Sequence, residues 1–145
     1  MNKRKLLKFC QLFGNNLYSD NDTVTQTFTD NAEKRAKLKD AGKKDPLTRL
    51  LKGSIKDNLK RLFNLNNKEA GVFFTVNKVV GGRRLENVER VRAIWCEFDE
   101  GGKKPKFPVE PSIIVNTSPG KYHFYFLVDH ENSTAKDKDI IKPVS

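Results

Sequence analysis

The spacing of hydrophobic residues changes along the chain, from a helical period in its first half to strict alternation in its second half. Helical spacing predicts an amphipathic helix over residues 2–13 that ends at Gly14. It also predicts a short polar helix over 30–39 and a better helix that begins at Ser54, whereas residues 24–28 have the composition of a short strand. The predicted capping boxes are Asp30 with Glu33 and Ser54 with Asp57.

Alternation of apolar and polar residues begins at residue 71 and predicts strands. These strands cover residues 71–77, 91–99, 112–115 and 122–128, with a glycine turn at 81–82. Since hairpin-length loops join several of them, we expect a mostly antiparallel sheet. The pattern therefore predicts an α+β fold, with a basic, mostly helical segment over 1–68 followed by a sheet-containing core over 69–145.

The charge balance adds a class of partner to this picture. The 145 residues include 28 Lys and Arg against 18 Asp and Glu, a formal net charge of +10, and most of the excess lies before residue 70. Such a charge attracts polyanions without specifying a nucleotide sequence.

Cys10 and Cys96 have no CxxC spacing, which indicates a reducing compartment and no zinc site. No stretch approaches the roughly 18 apolar residues of a membrane span, so we expect a cytoplasmic protein without a membrane partner.

Two acidic residues share one side of the predicted strand 91–99. Side chains alternate along a strand, so Glu97 and Asp99 point the same way, about 6–7 Å apart between Cα atoms. Two adjacent carboxylates are typical ligands of a hard cation such as Mg²⁺, whose remaining positions are filled by water and substrate phosphates. The alternative is a solvated strand end whose carboxylates pair with neighbouring lysines, and taken alone this structural explanation is favoured.

A second group of polar residues lies at the turn before the last predicted strand. Ser118, Pro119 and Gly120 form a tight turn whose amides and hydroxyl can face an anion. Lys121 supplies a point charge for phosphate, and His123 can donate to a phosphate oxygen. An ordinary hairpin turn with a half-exposed histidine is the alternative. The phosphate-binding signature GxxxxGK[ST] is absent, as is GxGxxG.

The acidic pair and the polar turn indicate a functional site more strongly together than either does alone. If strands 91–99 and 122–128 are neighbours, Glu97, Asp99 and His123 converge on one face of the sheet. The acids would hold Mg²⁺ or Mn²⁺, and the turn would hold a triphosphate. Basic residues of the adjacent loops would contact a nucleic-acid backbone. These residues are Arg83, Arg84, Lys103, Lys104 and Lys106.

Four segments, in order, resemble the RepB-like primase domain of phage and plasmid replication proteins, a member of the archaeo-eukaryotic primase superfamily. They are QTFTDN (26–31), GVFFTVN (71–77), ENVERVRAIWCEFD (86–99) and NTSPGKYHFYF (116–126). The resemblance spans about residues 26–128. It implies an RRM-like sheet and metal-dependent synthesis of primers or longer strands on a single-stranded DNA template. It also implies ribo- or deoxyribonucleoside triphosphates as substrates, a helicase domain or protein as partner, and the host cytoplasm as location if the protein is viral.

The resemblance also implies roles for individual residues. The family's acid-apolar-acid motif falls on Glu97-Phe98-Asp99, as catalytic metal ligands, and its histidine motif falls on Ser118 through His123, as the nucleotide site. Glu97 departs from the family's usual aspartate and is one methylene longer. The family's third acidic motif has no match, although Asp129, Asp137 and Asp139 are available carboxylates. We therefore expect a chain truncated before that motif, with a degenerate relative of the family as the alternative.

Two further functions compete with a polymerising enzyme. One is a non-catalytic DNA-binding replication module that uses the same sheet and charge. The other is an RNA-binding domain of the RRM type, which the sequence favours less because its Lys/Arg-Gly-Phe signature of stacking aromatics is absent.

Overall fold

The computed structural model describes residues 1–13 and 17–128, and in these ranges the chain folds into three α-helices and eight strands. The predicted helix stop at Gly14, and the carboxylates of Asp129, Asp137 and Asp139, lie outside these residues. The helices are α1 (Lys3–Leu12), α2 (Ala32–Asp40) and α3 (Ile55–Asn67). The strands are β1 (Val24–Thr29), β2 (Arg49–Lys52), β3 (Ala70–Phe74), β4 (Lys78–Val79), β5 (Val88–Arg90), β6 (Ala93–Phe98), β7 (Ile113–Ser118) and β8 (Lys121–Leu127).

The strands form three antiparallel sheets, which confirms the predicted α+β class. The N-terminal sheet has the order β2-β1-β3, and the C-terminal sheet has the order β6-β8-β7. A small sheet of β4 and β5 lies between them in the sequence. Because β1 pairs with β3, the N-terminal sheet includes strands from both sides of the expected boundary between residues 68 and 69.

One hydrophobic core joins the two larger sheets. Its buried residues come from α1, α3 and strands of both sheets, and an aromatic cluster lies at its centre. The Phe9 ring of α1 contacts Phe13, Phe74 of β3 and Tyr125 of β8 edge to face, with ring centroids 4.8, 5.9 and 5.6 Å away. Such contacts add about 0.5–1.5 kcal/mol each to the burial of the rings. Helix α1 therefore supports the C-terminal sheet directly.

Each of the three α-helices begins just after a residue whose side chain accepts a hydrogen bond from a backbone amide of the first turn. The Ser54 side chain accepts from the Asp57 amide, as predicted, and α3 buries Ile55 beside it. The predicted cap of α2 is wrong by one residue, because Asn31 rather than Asp30 accepts the hydrogen bond from the Lys34 amide. Asp30 stays extended, since its amide continues the sheet by donating to the Glu69 carbonyl.

Candidate functional site

Strands β6 and β8 are neighbours, as the convergence of the two polar groups requires. In their antiparallel register Glu97 lies directly opposite His123, and Phe98 lies opposite Tyr122. Directly opposed residues point to the same face of a sheet. Glu97 Oε1 is 3.7 Å from His123 Nε2. The acidic residue and the imidazole therefore share one face, which is also the face that carries Trp95 against the core.

A β-bulge brings Ser118 to this face as well. Between Asn116 and Ser118 the β7–β8 register shifts, so that Asn116 pairs with Tyr122 while Ser118 pairs with Lys121. A bulge places two residues of one strand against one of the other and so changes which face the next side chain takes. Lys121 is two residues before His123 and shares its face. Ser118, Lys121, His123 and Glu97 consequently lie on the same face of the C-terminal sheet.

The hairpin turn is close to the loop that follows the acidic residues. Pro119 and Gly120 are the two central residues, and Gly120 has a φ of 76°, the combination that a type II turn favours. A Cβ added to Gly120 would lie 3.6 Å from the Gly101 Cα atom. The turn that carries Ser118 and Lys121 thus contacts the loop beyond Asp99.

Tyr125 is part of this arrangement, and the sequence analysis missed it. It lies two residues after His123, on the same face, and its hydroxyl is 3.5 Å from His123 Nδ1. Burial, together with the negative charge of Glu97, raises the pKa of Tyr125 to about 12. A phenol that remains protonated can donate to Nδ1, which leaves the proton of a neutral imidazole on Nε2, facing Glu97. The alternation that placed His123 also indicates Tyr125.

Asp99 lies just beyond the β6–β8 pairing, so strand alternation does not fix which side its carboxylate takes. The β6–β8 pairing ends at Phe98, and Asp99 lies one residue beyond it with an exposed side chain. Over residues 1–13 and 17–128 no group of three or more His, Cys, Asp and Glu side chains could hold a metal ion. Two carboxylates alone are too few to enclose a hard cation, whose remaining positions would have to be filled by water and substrate phosphates.

The basic residues expected to bind nucleic acid are exposed, and one of them contacts the C-terminal sheet. Lys104 Nζ lies 4.4 Å from the centre of the Tyr122 ring, on the face of the sheet opposite to His123. Phe107 covers that face by packing on Phe124 and Phe126, the side chains that alternation assigns to the core there. The remaining predicted cations, Arg83, Arg84, Lys103 and Lys106, are exposed.

A basic cleft of about 580 Å³ lies away from this sheet. It is lined partly by Lys34, Lys37, Lys43 and Lys68, from α2, the loop after it and the end of α3. Lys34 forms an ion pair with Glu69 at the rim. None of the lining residues belongs to the C-terminal sheet, so the cleft is separate from the Glu97–His123 pair.

A buried ion pair fixes the start of β6. The side chain of Arg92 is 3% exposed; it forms an ion pair with Asp20 and donates to the Val76 carbonyl at 2.8 Å. The Asn77 side chain accepts from the amides of Arg92 and Ala93 at 2.8 and 3.0 Å. These bonds hold the segment before β4 against the first residue of β6.

Comparisons of this chain with protein-family models, curated proteins and solved structures give no match. In the described part of the chain, none of the helices has the length and apolar character needed to cross a membrane.

Proposed function

We propose that this protein is a DNA primase-polymerase of the RepB-like type in phage or plasmid replication. It would transfer nucleotides from nucleoside triphosphates to a strand paired with a single-stranded DNA template, in the cytoplasm of the host cell. The observation that carries the proposal is the common face of Glu97, Ser118, Lys121 and His123, with Glu97 and His123 directly opposed. The RRM-like character of the sheet is part of the same proposal.

Each side chain has a role that its chemistry supports. The Lys121 ammonium and the Ser118 hydroxyl bind the triphosphate, and His123 donates from Nε2 to a phosphate oxygen. Glu97 and Asp99 hold Mg²⁺ or Mn²⁺. When bound, the cation supplies charge stabilisation at the phosphates. The 3′-hydroxyl of the growing strand attacks the α-phosphate and pyrophosphate leaves, while Lys121 neutralises part of the charge that develops.

Tyr125 acts as a positioning residue in this proposal. Its hydroxyl lies 3.5 Å from Nδ1 of His123 and can donate to that nitrogen, which would direct an Nε2 proton towards the side on which Glu97 lies. The Tyr125 ring is fixed by Phe9 and Phe13 of the core. The imidazole orientation therefore depends on helix α1. A replicative helicase, as a further domain or a separate protein, is the expected partner.

Nucleotide binding is the first test, because it does not require a complete catalytic centre. We expect His123→Ala and Lys121→Gln to weaken Mn²⁺-dependent binding of a fluorescent nucleoside triphosphate by about 10- to 100-fold, since each loses a charge-assisted or polar contact to phosphate. Lys60→Gln, an exposed lysine of α3, is the matched control. Equal affinities of the Lys121→Gln and Lys60→Gln proteins would exclude the proposed triphosphate site.

Primer synthesis and extension with Mg²⁺ or Mn²⁺ test the chemistry. Activity should be lost in a Glu97→Ala/Asp99→Ala variant and kept in Glu89→Ala, an exposed strand glutamate of the small sheet. Glu97→Asp should preserve or increase metal affinity if the shorter acid fits. Activity that survives the double substitution would contradict the site. Salt-sensitive DNA binding without metal-dependent nucleotide binding would instead favour the non-catalytic replication module.

A further inference from the structure

One face of the N-terminal sheet carries Val24, Gln26 and Phe28 of β1, and this face is half covered and half open. Val24 of β1 is covered at one end, where it packs against Val79, Val88 and Val91 of the small sheet region. At the other end Leu50 and Phe73 lie opposite Gln26 on either side, and they are 55% and 48% exposed. Phe28, two residues after Gln26, completes the open half. We call Phe28, Leu50 and Phe73 the aromatic patch.

Two rings of the aromatic patch are stacked on each other. The Phe28 and Phe73 ring centroids are 4.7 Å apart, and the planes differ by 9°. The sheet position opposite Phe28 is Gly71, and a Cβ there would lie 2.9 Å from Cε2 of Phe73. Because Gly71 has no side chain, the Phe73 ring can lie over this position and reach the Phe28 ring on the neighbouring strand. The result is a flat apolar surface that solvent can reach.

Cations border the aromatic patch. The Arg35 guanidinium carbon of α2 is 5.6 Å from the centre of the Phe28 ring. Lys52 is exposed at the end of β2, on the same face as Leu50 by alternation. Helix α2 buries none of its residues, so solvent can reach Arg35. Flat aromatic rings beside positive charges match a ligand that has both exposed planar bases and phosphates.

We propose that the aromatic patch binds single-stranded nucleic acid by stacking a base on the free face of the Phe73 ring, which Phe28 supports on the other face, while Arg35 and Lys52 contact the adjacent phosphates. Successive bases of a single strand present their faces to aromatic side chains, whereas those of a duplex are already stacked. This inference deepens the proposed function and rests on it only for the claim that the strand is a template. The binding itself requires neither nucleotide nor metal.

The test is fluorescence anisotropy of a labelled 12-nucleotide oligothymidine with the full chain, in EDTA and without nucleotide. Phe73→Ala should weaken binding by about tenfold or more, the usual effect of removing one stacked base. Ile114→Ala is the matched control, because Ile114 is a strand residue of the C-terminal sheet with 49% exposure. Phe73→Tyr keeps the ring and should restore affinity to within about twofold, which separates stacking from a folding defect.

The salt dependence separates the two kinds of contact. Arg35→Gln should lower the slope of log Kd against log salt by about 0.7, the contribution of one phosphate contact to a single strand. Phe73→Ala should leave that slope unchanged, since stacking releases no counterions. Arg61→Gln, an exposed arginine of α3, controls for the general loss of charge and should affect the slope less than Arg35→Gln.

The proposal is overturned if Phe73→Ala and Ile114→Ala bind the oligonucleotide equally, or if Phe73→Ala weakens duplex binding as much as single-strand binding. It is also overturned if the only effect of Phe73→Ala is to abolish self-association, which would make the patch an interface between copies. Parallel titrations with oligouridine determine whether DNA or RNA is preferred. Weaker binding of either single strand by Phe73→Ala, with duplex binding unchanged, supports stacking. Loss of nucleotide binding in the His123→Ala protein with intact oligonucleotide binding would separate this surface from the proposed catalytic site.

Discussion

Removal of the Asp20 carboxylate tests whether the ion pair under β6 is isolated from water. The side chains of Arg92 and Asp20 are only 3% and 9% exposed. Asp20→Ala would leave the guanidinium buried without its anion, and breaking such a pair costs about 3–5 kcal/mol. A domain of this kind has a total unfolding free energy of about 5–15 kcal/mol. The variant would therefore lose a large fraction of its stability.

Urea denaturation followed by circular dichroism measures this loss as a lower midpoint at an unchanged slope. The matched control is Asp22→Ala, because Asp22 is 47% exposed and pairs with Lys78 at 3.0 Å. An exposed pair contributes about 0–1 kcal/mol. Replacing both charges, as in Asp20→Asn/Arg92→Met, should recover most of the loss. If Asp20→Ala costs no more than Asp22→Ala, water reaches the pair and the reasoning fails.

The same pair gives a pH dependence of known sign. Burial opposes ionisation of Asp20, but the Asp22 amide, Arg92 and Lys78 together hold its pKa below the ordinary value. A lowered pKa stabilises the fold above the unfolded value of about 4, and this stabilisation is lost as the pH falls through the folded pKa. The difference in unfolding free energy between wild type and Asp20→Asn should therefore shrink below about pH 4. A difference that grows on acidification would contradict the assignment.

Three further predictions concern a helix cap, a thiol and a phenol. Ser54→Ala should lower the unfolding free energy by about 1 kcal/mol. Asn31→Ala should change it by about 0.5 kcal/mol or less, because α2 buries no residue. The midpoints of urea denaturation compare the two variants. Burial raises the pKa of Cys10 to about 11, so a disulfide reagent at pH 8 should modify Cys96 first and Cys10 only on unfolding; equal rates would contradict this. The raised pKa of Tyr125 means that stability falls between about pH 10 and 12, and thermal melts should show a smaller fall for Tyr125→Phe.

The sequence predicted those features of the site that depend on alternation along a strand. The opposition of Glu97 and His123 follows from period-two spacing and one correct assumption, that their strands pair. The bulge that turns Ser118 to the same face could not be predicted, because it depends on how β7 and β8 adjust to each other near the turn. Asp99 was expected on that face as well; because the strand ends at Phe98, alternation alone does not determine its side.

Two other features escaped the sequence analysis for different physical reasons. Edge strand β2 buries only Leu51, so it has too little alternation to be distinguished from a loop. Arg92 lies between Val91 and Ala93 in the short segment that joins β5 to β6, and its burial depends on an acid 72 residues earlier in the chain. Contacts of this range are set by tertiary structure, and local patterns carry no information about them.

The packing of α1 on β8 has a consequence for the order in which the protein matures during synthesis. Phe9 and Phe13 leave the ribosome early, whereas Tyr125 belongs to the last described strand. Until that strand emerges, the apolar side of α1 lacks the partner that it covers in the finished fold. The groups proposed to bind nucleotide can then take their positions only after β8 has been synthesised, so translation products that end before β8 should be inactive and should expose an aggregation-prone aromatic surface.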